Sequence, residues 1–112
     1  MTDTIFGKII RGELPCDKVY EDEHCLAFRD INPGAPTHIL LIPKKFMTNL
    51  FEATSQDKEV LGHMMVVSSK IATEQGLEGY RLVVNNGESA GQSVFHLHLH
   101  IMGGRPMEWP PG

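Results

Sequence analysis

Residues 95–105 read FHLHLHIMGGR, and within them histidine alternates with leucine: His96, Leu97, His98, Leu99, His100. A period of two is the period of a strand, in which neighbouring side chains point to opposite faces. The stretch VFHLHLHIM, 94–102, therefore predicts a strand whose leucines enter a core and whose histidines share the other face. Three buried imidazoles without partners would be costly, so that face is expected to meet solvent or a ligand. Half of the chain's six histidines sit in this array.

The rest of the chain supplies enough material for one small domain, 1–112. A chain of this size buries roughly two-thirds of the surface its unfolded form exposes. A net charge of −4 without a block of consecutive basic residues argues against a nucleic-acid partner, which is gripped by clustered Lys and Arg. No apolar run approaches the ~20 residues that span a bilayer, so no membrane association is expected. The opening MTDTIFGKIIRGELP lacks the apolar core of a signal peptide, and a cytoplasmic location is expected. Cys16 and Cys25 have no metal-binding spacing and should stay reduced as small, part-buried residues.

Local patterns place the array within an α+β fold. Asp3 or Thr2 can cap a short helix through TIFGKIIR, with Ile5, Phe6, Ile9 and Ile10 on one face and Gly12 as its stop. KVYEDEHCLAFRD reads as a hairpin that turns at 21–24, NPGAP as a turn, and THILLIP as a buried strand. Thr54 or Ser55 opens a long helix with apolar residues at Val60, Leu61, Met64, Val67, Ile71 and Ala72, ended by Gly76. YRLVVNN is a further strand, GESAGQS a Gly-rich loop, and RPMEWPPG, 105–112, a tail. Hairpin strands with helices set apart suggest an antiparallel sheet. His24 and His63 fall on the turn and on the helix, where surface or packing roles are expected.

Three histidines on one strand are open to two chemical readings and one bland one. Neighbours in the set lie ~7 Å apart and the outer pair ~13 Å, from a rise of ~3.3 Å per residue. A pair could reach one zinc, but three in a row converge poorly, and His38 is the obvious outside candidate for a further ligand. The second reading is catalytic. GESAGQS ends at Ser93, three residues before the array, and Gly-rich backbone amides with a serine hydroxyl form an anion cradle beside groups that attack phosphorus and move protons. The bland reading is a structural accident of the strand.

Taken together, DTIFGKIIRGELP, CLAFRDINPGAPTHILLIPKK, LVVNNGESAGQSVFHLHLHIMGGR and the closing WPPG resemble the histidine-triad family, and within it the Hint branch of nucleotide-binding proteins. The related diadenosine-polyphosphate hydrolases carry glutamines after the triad, where this chain has Ile101 and Met102. The resemblance implies a five-stranded antiparallel sheet with two helices, one of them long, in a homodimer whose sheets run on across the interface. It implies hydrolysis of purine nucleoside 5′-phosphoramidates, such as AMP-linked amines, to a nucleoside monophosphate and an amine, without metal or cofactor. His98 is then the nucleophile, His96 helps orient it, and His100 with His38 manages protons. Asp30 would accept from the ribose hydroxyls, and Ile31, Phe6 and Phe28 would form the purine slot. Asn85, Gly91, Gln92 and Ser93 would surround the phosphate and the leaving amine. Asn86 stands where relatives are often acidic. Arg105 could pair with phosphate or sit in a surface or interface salt bridge, and the tail with Trp109 would reach toward a partner's site.

Such chemistry has a physical rationale. A neutral imidazole, with its ordinary pKa of ~6.5, can attack phosphorus near pH 7 without a metal hydroxide. Its other nitrogen must hold the proton, expected to be donated to a backbone carbonyl. A covalent nucleotidyl-histidine divides one hard displacement into two easier ones. The amine must leave protonated, so a general acid is required, and the amides of residues 91–93 are expected to meet the phosphoryl oxygens.

Overall fold

The computed structural model describes residues 3–112. It is α+β, as expected: two helices, α1 (Ile5–Ile10) and α2 (Lys58–Glu74), and five strands, β1 (Lys18–Glu21), β2 (Cys25–Arg29), β3 (Thr37–Pro43), β4 (Tyr80–Val83) and β5 (Leu99–Gly103). The strands form one sheet in the order β1-β2-β3-β5-β4, and every neighbouring pair is antiparallel. Among the described residues no helix is long and apolar enough to cross a membrane.

Local chemistry explains most element boundaries. The cap of α1 is Thr4, whose hydroxyl accepts from the Gly7 amide at 3.0 Å, and not Asp3; Thr2 lies outside the described residues. Thr54 forms a reciprocal capping box with Asp57, opening a 3₁₀ turn that runs into α2. Gly12 and Gly76 follow the two helices with φ of 78° and 72°, the left-handed conformation that a side chain would oppose.

The sheet separates two apolar layers. On one face Met64, Val67 and Ile71 of α2 pack against Cys25, Ala27, Ile39, Leu41, Leu99 and Ile101. Each large side chain buried here contributes about 1.5–3 kcal/mol relative to exposure, so this layer anchors the sheet. On the other face Phe6 of α1 packs with Leu26, Phe28, Leu40 and Ile42. Leu40 stands opposite His100 and His38 opposite Met102, which puts both histidines on the α1 side.

The last strand is shorter than its alternation predicts. Regular pairing starts at Leu99, so His96 and His98 precede the ladder. The Leu97 amide instead donates to the Met47 carbonyl at 2.7 Å, a partner in the loop after β3. That loop and α1 cover the upper array, and His96, His98 and His38 are buried, not turned to solvent. The tail is strapped down by arginines. Arg81 donates to the Glu108 carbonyl at 2.8 Å, and Arg105 donates to the carbonyls of Gly34 and Pro106. Those contacts engage Arg105 with backbone oxygens of its own chain. Trp109 is 82% exposed.

Candidate active site

His98 lies at the floor of a cleft of about 390 Å³ that is also lined by Ile5, Phe6, Phe28, Asp30, Ile31, Ser93 and His100. Its Nδ1–H donates to the His96 carbonyl at 2.7 Å. That bond fixes the tautomer and leaves Nε2 with its lone pair free. His96 thus orients the ring through its backbone. Phe6 stands edge-on to the His98 ring with centroids 5.0 Å apart, which limits the ring's other rotations.

Backbone donors dictate the protons on the other imidazoles. The Gly34 amide donates to His38 Nδ1 at 2.9 Å, so the His38 proton sits on Nε2. Nε2 lies 2.9 Å from His100 Nδ1, which accepts, and the His100 proton is therefore on its Nε2. That Nε2 is buried with no hydrogen-bond partner among the described residues, a donor waiting for an acceptor. His96 is settled similarly. The Thr4 hydroxyl, already accepting from Gly7, donates to His96 Nδ1 at 3.2 Å, and His96 Nε2–H donates to the Pro43 carbonyl at 3.2 Å.

Burial keeps His96, His98 and His100 uncharged. Desolvation lowers the proton affinity of His96 and His98, outweighing the carbonyl bonds that favour the charged form. His100 is pushed down to about 4, first by burial and then by repulsion from His98 and His38. His98 is therefore neutral near pH 7. Asp30 accepts from the Asn32 amide at 2.8 Å, which tightens its turn, and its second oxygen lies 3.4 Å from His38 Nε2. The turn role and a place in the cleft are compatible.

The Gly-rich loop is closed by its own bonds. The Gly91 amide donates to the Glu88 carbonyl and the Gln92 amide to the Gly87 carbonyl, so neither faces outward as expected. The buried Gln92 side chain is fully used: Oε1 accepts from Asn49 Nδ2 and the Gly87 amide, and Nε2 donates to the carbonyls of Thr48 and Val94. Gln92 therefore shapes the loop. The Asn85 side chain lies against Gly91, since a Cβ added there would sit 3.9 Å from Asn85 Cγ, and Asn86 accepts from the Leu50 amide at 2.8 Å. Of the four loop residues, Ser93 alone lines the cleft with His98. Phe6 and Phe28 are buried with centroids 5.5 Å apart, whereas Ile31 is 92% exposed at the rim.

Two positioning residues, Thr4 and Asn49, escaped the sequence reading. Asp3 and Thr4 are both competent caps, and Asn49 meets Gln92 only across 43 positions of chain.

The HIT domain pattern matches residues 11–107, a span that includes the three alternating histidines. The chain belongs to the HIT family. This HIT protein is similar to an uncharacterized HIT-like protein of Synechococcus elongatus, 58% identical over 111 residues that cover 98% of this chain and 97% of that one. It is also similar to a 14 kDa zinc-binding protein of Zea mays, 55% identical over 112 residues that cover 97% of this chain and 88% of that one. Among solved structures it matches a HIT family hydrolase of Legionella pneumophila Philadelphia 1 with a TM-score of 0.96 and 47% identity, over 98% of this chain and 100% of that chain. A histidine triad protein of Clostridium difficile matches with a TM-score of 0.92 and 44% identity, over 96% of both chains.

Proposed function

We propose that this HIT protein is a cytoplasmic nucleoside phosphoramidase that cleaves the P–N bond of purine nucleoside 5′-phosphoramidates. One observation carries the reading: His98 gives its Nδ1 proton to a carbonyl, so its Nε2 lone pair stands in a cleft shared with Ser93, Asp30 and two buried phenylalanines. The purine stacks on the wall made by Phe6 and Phe28, with Ile5 and Ile31 at the rim, and Asp30 accepts from the ribose hydroxyls. Ser93 donates to a phosphoryl oxygen. Nε2 of His98 attacks phosphorus, the P–N bond breaks, and the nitrogen leaves with a proton taken from solvent while accepting a hydrogen bond from His100 Nε2–H, so that His100 stays neutral. Water then attacks the nucleotidyl-His98 phosphorus and releases its proton to solvent. His38, 2.9 Å from His100, holds its tautomer throughout. Asn85, Gly91 and Gln92 keep the loop in the shape that brings Ser93 to the phosphate.

A homodimer is part of this proposal. The exposed Met65 and Val66 of α2 and Tyr80 at the β4 edge offer apolar surface to a second copy. A competing metal reading has two supports. The candidate ligand atoms of Asp30, His38 and His100 lie within 4.8 Å of one another, and the maize relative is named for zinc. His38 Nε2 and His100 Nδ1 are hydrogen-bonded to each other at 2.9 Å, so a metal would have to replace that bond.

Turnover of an adenosine 5′-phosphoramidate decides between them. Rapid quenching should trap a nucleotidyl group on His98, and His98→Ala should lose at least 10³-fold in kcat while still binding AMP, as expected for loss of a covalent nucleophile. Activity should survive a chelator. A zinc-restored loss, or product formed without the adduct, would overturn the reading.

A further inference from the structure

On the opposite face of the sheet from the cleft, the β1–β2 turn and α2 bring together side chains that ligate metals. One oxygen of Asp22 accepts from the amides of His24 and Cys25, at 2.8 and 2.9 Å, and from the Cys25 thiol at 3.5 Å. The other accepts from the Tyr20 hydroxyl at 2.8 Å and from His63 Nε2–H at 2.6 Å. The ligand atoms of Asp22, Cys25 and His63 all lie within 4.8 Å of one another. The His24 ring stands edge-on to that of His63, centroids 5.3 Å apart, and both rings line a surface groove of about 490 Å³.

Three features distinguish this cluster from a simple hydrogen-bonded latch. A thiol and an imidazole from different elements both aim their protons at one carboxylate, so hydrogens stand where a cation would. A tetrahedral ion with bonds of ~2.0–2.3 Å needs its ligand atoms only ~3.3–3.8 Å apart, a spacing reached here by small side-chain shifts. The Tyr20 hydroxyl and two amides also brace the carboxylate from outside, the support that ligating carboxylates usually receive. The groove reaches the two imidazoles of the cluster, those of His24 and His63. His24, half-exposed and 3.2 Å from Glu23, can turn toward His63. Lys44 and Lys45 at the groove are already paired with Glu21 and Asp57 and leave no uncompensated positive charge there.

We propose that Asp22, Cys25, His63 and His24 form a binding site for a divalent transition metal of the zinc class, separate from the histidine cleft. On binding, the Cys25 thiol loses its proton to solvent and a metal–sulfur bond forms. The proton of His63 moves from Nε2 to Nδ1, freeing Nε2 as a ligand. One proton leaves per ion bound, and no oxidation is involved. The Cys25 thiol, pushed up to about 12 chiefly by burial, stays protonated until a metal displaces that hydrogen.

Cobalt(II) titration of the intact protein tests this, because thiolate coordination produces a charge-transfer band in the near ultraviolet. One equivalent should bind with that band, zinc should bleach it, and one proton should appear per ion. His63→Gln, at a part-exposed position, should weaken binding at least tenfold. Cys25→Ser should lose the band, and circular dichroism of both variants checks that they fold. His38→Ala should leave band and affinity unchanged. Absence of the band in the wild-type protein, its persistence in Cys25→Ser, or its loss in His38→Ala would overturn the proposal.

Discussion

Thr4 Oγ1 accepts from the Gly7 amide and donates to His96 Nδ1, so a single hydroxyl couples the start of α1 to the histidine array. Helix α1 in turn carries Phe6, the edge-on neighbour of the His98 ring. Removing the hydroxyl with little change in shape should therefore affect catalysis and folding together. Thr4→Val is expected to cost about 1 kcal/mol of stability, the usual worth of a cap. It should also lower kcat about tenfold with little change in KM, and Thr4→Ser should restore both; chemical denaturation and steady-state kinetics measure the two effects. The pH dependence follows from the direction of the histidine shifts. Groups whose folded-state proton affinity is lowered contribute stability that is complete above the unfolded pKa of ~6.5 and is lost as the pH falls. For His100 the loss extends down to about pH 4. Denaturation midpoints should accordingly be level above pH 7 and fall steadily between pH 6.5 and 4, while turnover holds at mildly acidic pH because His98 remains neutral below its ordinary range. A stability that rises on acidification would contradict the burial that keeps the rings uncharged.

At the scale of elements, Asn49 matters most for the loop that carries Ser93. Its amide donates to Gln92, whose remaining bonds tie the Gly87 amide to the Thr48 and Val94 carbonyls. Replacing one member leaves buried polar atoms unpaired, at a cost of about 1–3 kcal/mol. Asn49→Leu should therefore loosen residues 87–93, which hydrogen exchange would register as faster amide exchange there, and should lower kcat more than nucleotide affinity. Unchanged protection would show that the loop holds itself. Elements with strong local periodicity were legible in the sequence: of the residues its 3/4 rhythm marks, α2 buries Met64, Val67, Ile71 and Ala72 and half-buries Val60 and Leu61, and β3 spans THILLIP. The alternation at 96–100 correctly separated leucine from histidine, yet it overstated the strand and the exposure of the rings. Pairing of Leu97 with Met47, and the approach of Thr4, are tertiary events with no trace in local pattern. The meeting of His38 with His100 depends likewise on strand register, which two distant segments settle jointly.

For the whole molecule, the sheet works as a partition. The cleft opens on the α1 face, while α2 covers the other and presents Val66 at 70% exposure. The proposed homodimer predicts that sedimentation will give twice the chain mass of 12.5 kDa, and that Val66→Asp will shift the species toward monomer by placing a charge in an apolar contact. A wild-type monomer at micromolar concentration would reject it. The two sheet edges are unequal. β1 carries an irregularity in its pairing between Lys18 and Tyr20, whereas β4 pairs with β5 in continuous register. A proposed pair joined through β4 would use the regular edge and leave the irregular β1 as the outer one, a poorer template for a third copy.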